Sequence, residues 1–281
     1  MTAPELIRQV KDLPPVSPAA MKLVGLLNRP TQHNDEVIQV LRYDSALTAR
    51  LLRACNASSL ALLEPVTSVD QAVLLLGHQV LVRFVLALGF SSALRRPLPG
   101  YAAEQGGLWR HSLATALAAE QVSIRLGRFE PAVAFTAGLL HDIGKLVLSQ
   151  VLAHEDLTVV RKRIEQSSGA CVEAEMAIFG TDHAKIGECL LSDWRLPTTI
   201  VEAVANHHRP AVTQDLHLSA VVHVGNDIAH LLGSAPGGED SALRAEDPVL
   251  NALGLTPEVV EEITLSVHDS LQRTDESLGT T

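Results

Sequence analysis

Histidine is the outlier of this sequence, with twelve copies in 281 residues. His111 stands two residues after Trp109 at the start of an amphipathic stretch. His141-Asp142 closes the apolar run 132–140 and leads into Ile143, Gly144 and Lys145. His183 follows a Gly180-Thr181-Asp182 turn, and His207-His208 ends another segment just before Pro210. Asp227 comes four residues after His223 and three before His230. One histidine on a helix is most often a surface group or a satisfied core group. Here ionisable residues recur where apolar segments end or turn inward. Burying several imidazoles and two carboxylates is costly unless they are hydrogen-bonded, paired or bound to a cation. A metal resolves that cost, because a neutral imidazole offers one lone pair and a carboxylate can bridge two cations through its two oxygens.

Neighbouring helix residues point about 100° apart, so His141 and Asp142 cannot face one way in mid-helix. At a helix end they can flank a shared centre, with Asp142 in the bridging position. The same geometry makes His207 the inward member of its pair, in register with Ile200, Ala203 and Val204. His208 is then left to reach a substrate or a second ion. Mixed imidazole and carboxylate ligation suits Fe, Mn, Ni and Zn alike.

The elements that must position these groups read as helices almost throughout. Ser17-Pro18 is a cap followed by a first-turn proline, with Met21, Val24 and Leu27 on one face. Asn34 caps the next helix and Asp44 opens a third, whose stripe is Leu47, Leu51 and Ala54. Ser68 with Gln71 forms a capping-box pattern, Gly77 breaks that helix, and a long apolar helix runs on to about Leu94. Further helices are expected over 108–126, 131–140, 151–166, 172–179, 183–193, 198–207 and 216–232. Pro257–Arg273 makes a last one, and 274–281 a frayed tail. Met21 and Met176 are read as core, and Arg50 and Arg53 as solvated. Period-two alternation is nearly absent, so the fold class is all-α. Two prolines and three glycines in 95–107 mark the internal boundary. The expected organisation is a helical N-terminal half (1–98), a metal-binding half (99–232), and a connector, terminal helix and tail (233–281).

Composition excludes several classes. Hydrophobic residues are 47% and charged residues 19% of the chain, so wholesale disorder is ruled out. A net charge of -10 disfavours nucleic acid, which is bound by clustered cations. Aromatics at 3% leave few stacking platforms. The three cysteines form no C-x-x-C pair and leave an odd count, which fits a reducing cytoplasm. No signal core opens the chain, and the greasy run 72–90 is interrupted by His78, Gln79 and Arg83. A cytoplasmic protein without a membrane span is expected.

Motifs covering most of the chain resemble the HDOD domain, an output-module relative of the HD superfamily of metal-dependent phosphohydrolases. The front half is carried by 13–28, by Asp44 to Asn56 and by Ser68 to Gly77. The back half is carried by Leu108-Trp-Arg-His-Ser112, by Ala137-Gly-Leu-Leu-His-Asp-Ile-Gly-Lys145 and by Trp194-Arg-Leu-Pro197. The resemblance implies a multi-helix bacterial module for signal transduction and regulation of gene expression. It maps His111, His141, Asp142 and Asp227 onto the core HD ligands, and His183 and His207 onto the extra pair of dinuclear relatives. His208 is an additional candidate. It therefore implies two divalent transition-metal ions. By the same likeness Asp142 and Lys145 would be the catalytic pair of an active phosphohydrolase. The expected partner is a signalling protein or a small phosphorylated ligand. The chain departs from the cyclic-dinucleotide phosphodiesterases of the HD-GYP group. Arg209-Pro210-Ala211 follows the double histidine where those have a Gly-Tyr-Pro turn, and Gly107 stands where some carry a Glu.

Overall fold

The computed structural model describes residues 1–10, 16–26, 34–42, 44–56, 65–98, 101, 103–152, 171–211, 217–234 and 248–278. These hold fifteen helices and no strand, only an isolated bridge between Leu98 and Ala103. The front half comprises α1 (Ala3–Gln9), α2 (Pro18–Leu26), α3 (Asn34–Arg42), α4 (Ser45–Cys55), α5 (Val69–Leu76) and α6 (His78–Leu94). Asp44 caps α4 by accepting from Leu47 N at 2.9 Å, which satisfies one of the free donors at the helix start. Its other oxygen accepts from the Ser17 hydroxyl at 2.8 Å and ties the start of α2 to α4. Ser68 caps α5, and Gly77, at φ 73°, makes the break before α6. A positive φ of this kind costs glycine nothing, since it has no Cβ. Helix α6 then serves as the floor on which α2, α4 and α5 pack.

The second half is built on α7 (Gly107–Leu126), with α8 (Pro131–Leu140) and α13 (Leu218–Leu231) clamped on either side. Small residues allow that approach. A Cβ on Gly138 of α8 would lie 2.8 Å from Ala116 Cα, and one on Gly225 of α13 would lie 2.9 Å from Thr115 O. Around this sandwich run α9 (Lys145–Leu152), α10 (Cys171–Phe179), α11 (His183–Asp193) and α12 (Thr198–Asn206). Then come α14 (Pro248–Leu253) and α15 (Pro257–Leu278), and α15 lies along α7. The two halves share one contiguous apolar core. An ion pair between Arg83 of α6 and Glu120 of α7 crosses between them, and α1 packs on α9 and α11. One stretch among the described residues, Pro131–Leu152, is long and apolar enough to cross a membrane, but 94% of its 18-residue apolar window is buried inside the fold. The stretch comprises two helices, α8 and α9, joined by a turn, and both are buried on most of their faces, as a central core position demands.

Four local expectations need correction. A helix begins at Lys145, ahead of the expected start at Val151, and the rest of 151–166 lies outside the described residues. Arg50 is half-buried and donates to Leu88 O at 2.9 Å, so it fastens α4 to α6. Met176 is 47% exposed, because Cys171, Glu175 and Phe179 supply the inward face of α10. The last helix continues through 274–278, where a frayed tail was expected. Most of the connector, 235–247, lies outside the described residues.

Candidate metal centre

Four helix ends meet inside the second half. His111 enters from the first turns of α7 and is fully buried. Helix α8 stops at His141, and residues 141–144 form the turn into α9, so His141 and Asp142 can both face inward. Gly144 lets that turn lie against the start of α11, since a Cβ there would stand 2.0 Å from His183 O. Asp182 caps α11 through Lys185 N at 2.8 Å and so fixes His183 as its first residue. His207 terminates α12.

The backbone sets which nitrogen each ring presents. His141 Nδ1 donates to Gly138 O and His207 Nδ1 donates to Val204 O, both at 2.7 Å. A carbonyl can only accept, so the proton sits on Nδ1 and the Nε2 lone pair is free to ligate. His183 Nδ1 lies 2.7 Å from Glu175 Oε2, which also accepts from the His183 backbone N–H at 2.7 Å.

The Asp142 carboxylate lies between two sets of imidazoles. Its Oδ2 is 3.4 Å from His141 Nε2, 3.5 Å from His111 Nε2 and 2.9 Å from Lys145 Nζ. Its Oδ1 is 3.1 Å from His183 Nε2 and 3.9 Å from His207 Nε2. His208 Nε2 stands 2.8 Å from His183 Nε2. Two groups result, His111–His141–Asp142 and Asp142–His183–His207–His208, each with ligand atoms within 4.8 Å of one another and with Asp142 common to both.

Burial drives the electrostatics. It pushes His111, His207 and His208 well below the ordinary imidazole value, and neighbouring imidazoles push the same way. These rings are therefore neutral. Burial would raise the Asp142 carboxyl, yet His141, Lys145 and His183 hold it well below the usual carboxylate range. Burial would likewise lower His183, but the Glu175 and Asp142 carboxylates outweigh it and lift the group to about 10.

The donor set fits divalent metal ions. Both Asp142 oxygens and His207 Nε2 are buried without a hydrogen bond of proper direction. His111 Nε2 and His141 Nε2 face each other at 3.2 Å. Polar atoms left in this condition are expensive, and cations between them would satisfy all of them at once.

Of the residues singled out from the sequence, His111, His141, Asp142, His183, His207 and His208 thus come together, and Lys145 pairs with Asp142. Asp227 belongs to neither group. It is buried on α13, its Oδ2 3.5 Å from His223 Nε2, while His230 of the same helix brings its ring to 5.1 Å from that of His111. Glu175 and Tyr101 escaped the sequence reading. Glu175 had left a signal: it shares the i±4 stripe of Cys171 and Phe179, and a carboxylate on a buried stripe requires a partner. Tyr101, between two helices, left none.

Comparison with known proteins agrees with this architecture. An HDOD domain protein of unknown function from Geobacter sulfurreducens superposes with a TM-score of 0.77 at 24% identity, covering 98% of this chain and 96% of that one. A candidate signal transduction protein from Marinobacter aquaeolei VT8 gives 0.73 at 24% identity, over 95% of this chain and 59% of its own. A candidate phosphohydrolase from Shewanella amazonensis SB2B gives 0.67 at 22% identity, over 98% and 97%. An uncharacterised Treponema pallidum (strain Nichols) protein is 21% identical over 238 residues, 83% of this chain, which spans only 45% of that protein's length. The HDOD domain profile matches residues 13–210, and the chain belongs to the HDOD domain family.

Proposed function

We propose that this protein is a regulatory signal-transduction module whose second half carries a dinuclear metal centre. One observation carries the reading: the two oxygens of Asp142 face separate sets of imidazoles. His111 and His141 would hold one ion and His183 and His207 the other, with His208 available to the second and Asp142 shared. Fe, Mn, Ni and Zn all suit such ligands. The Marinobacter relative is described for signal transduction, which supports that role here. The three cysteines form no disulfide, which suits a reducing cytoplasm. The acidic net charge favours a protein or a small phosphorylated ligand over nucleic acid as partner.

Lys145 favours a second reading, metal-dependent phosphohydrolysis. Divalent ions at such a centre supply Lewis acidity toward a phosphoryl oxygen and a water. This chain would contribute Asp142 to orient them and the Lys145 ammonium, buried beside Asp142, to balance phosphate charge. Elemental analysis of freshly purified protein tests the centre itself, with Asp142→Ala as the control. Two equivalents of metal lost on that substitution are expected, and a metal-free wild type would end the proposal. Assays of the loaded protein with nucleotides and phosphodiesters separate the two readings, since a regulatory module turns over none of them.

A further inference from the structure

We infer that Glu175 and Tyr101 are positioning residues for the His183 side of the metal centre alone. This rests on the dinuclear reading and adds to it a control on one of its two ions. Glu175 projects from α10 into the core and is 3% exposed. A carboxylate so buried must have its lone pairs satisfied. Three donors do so: the His183 backbone N–H (2.7 Å), His183 Nδ1 (2.7 Å to Oε2, 2.9 Å to Oε1) and the Tyr101 hydroxyl (2.7 Å to Oε1). Two of them come from His183 itself, so Glu175 fixes both the backbone that starts α11 and the plane of the ring. With Nδ1 held as a donor, only Nε2 can ligate, and it is the atom aimed at Asp142 Oδ1. A carboxylate behind a ligating imidazole raises its basicity as well as orienting it.

The two sides of the centre differ here. His141 and His207 are oriented by neutral carbonyls of their own helices, Gly138 and Val204. Of these three rings, only His183 is backed by a carboxylate from another helix. That carboxylate is secured by Tyr101, which is 2% exposed and lies on the connector between α6 and α7, with Lys145 Nζ 5.7 Å from its ring centre. The segment joining the front half to the metal-binding half is thereby hydrogen-bonded to the environment of one ion.

The full chain, stripped and titrated with Mn(II) or Co(II), tests this through the stoichiometry and affinity of each ion and the Co(II) absorption spectrum. Wild type should bind two ions. Glu175→Gln should weaken one about 10- to 100-fold and leave the other unchanged. Tyr101→Phe, which keeps the ring and its packing, should weaken the same ion by a smaller factor. It also carries the test if Glu175→Gln does not fold. A general loss of stability would affect both ions together. Two ions bound with wild-type affinities in both variants, or equal weakening of both, overturns the inference and leaves the dinuclear reading standing. No ions bound to wild type overturns both.

Discussion

Gly144→Ala probes the contact that holds the His141–Asp142 turn against α11. The added methyl would lie 2.0 Å from His183 O and 2.9 Å from Gly187 N. Both are backbone atoms, so no side chain can swing aside. Reaching ordinary contact at 3.4 Å means separating the turn from α11 by about 1.4 Å. Overpacking of this kind costs about 3 kcal/mol. Unfolding entropy of about 2.1 cal/mol/K per residue amounts to about 0.6 kcal/mol/K for this chain, so Tm should fall by about 5 °C. The same displacement stretches the 3.1 Å approach of His183 Nε2 to Asp142 Oδ1 and should weaken the ion held there by about 10- to 100-fold. Scanning calorimetry of stripped protein and Mn(II) titration read the two effects. The control is Gly25→Ala in α2, where a Cβ meets nothing within 4 Å. It should be neutral or stabilising by up to about 1 kcal/mol. A Gly144→Ala protein with the melting point and the metal content of wild type would refute the reasoning.

Three further outcomes are expected. Asp142→Asn removes the carboxylate charge that faces the buried Lys145 ammonium at 2.9 Å and should cost the metal-free protein about 3–5 kcal/mol in urea unfolding. Much of that should be regained in Asp142→Asn/Lys145→Met, and equal stability of the two variants would contradict this. His183, raised to about 10, stabilises the metal-free fold fully below its unfolded value of 6.5 and loses that contribution as pH climbs to about 10. An ion taking Nε2 must displace a proton, so affinity should rise with pH over that range, and titration heats should depend on buffer ionisation enthalpy; buffer-independent heats would argue against it. Asp44→Ala removes the cap of α4 and its bond to Ser17. It should cost about 1–2 kcal/mol in thermal unfolding without altering metal content.

Helix periodicity and capping chemistry are local properties, and they made the all-α class and most helix ends legible. Pro131–Leu140 and His183–Asp193 have the expected bounds, and His141-Asp142 closes its helix as anticipated. Readings failed where burial depends on what packs from elsewhere. Arg50 looked solvated until α6 met it, and Met176 looked buried until Glu175 took the inward face.

Residue types and their places at helix ends were therefore the sequence's own contribution, including an inward pair at 141–142 and a choice of donors suited to divalent ions. Tertiary structure decided how the donors divide: two groups around the oxygens of Asp142, Asp227 beside His223, and Glu175 and Tyr101 behind His183. The reason is physical. A helix's own geometry says which way a side chain points, but which other side chains it meets depends on how α7, α8, α11 and α12 cross, and those crossings come from contacts made by residues far apart in the chain.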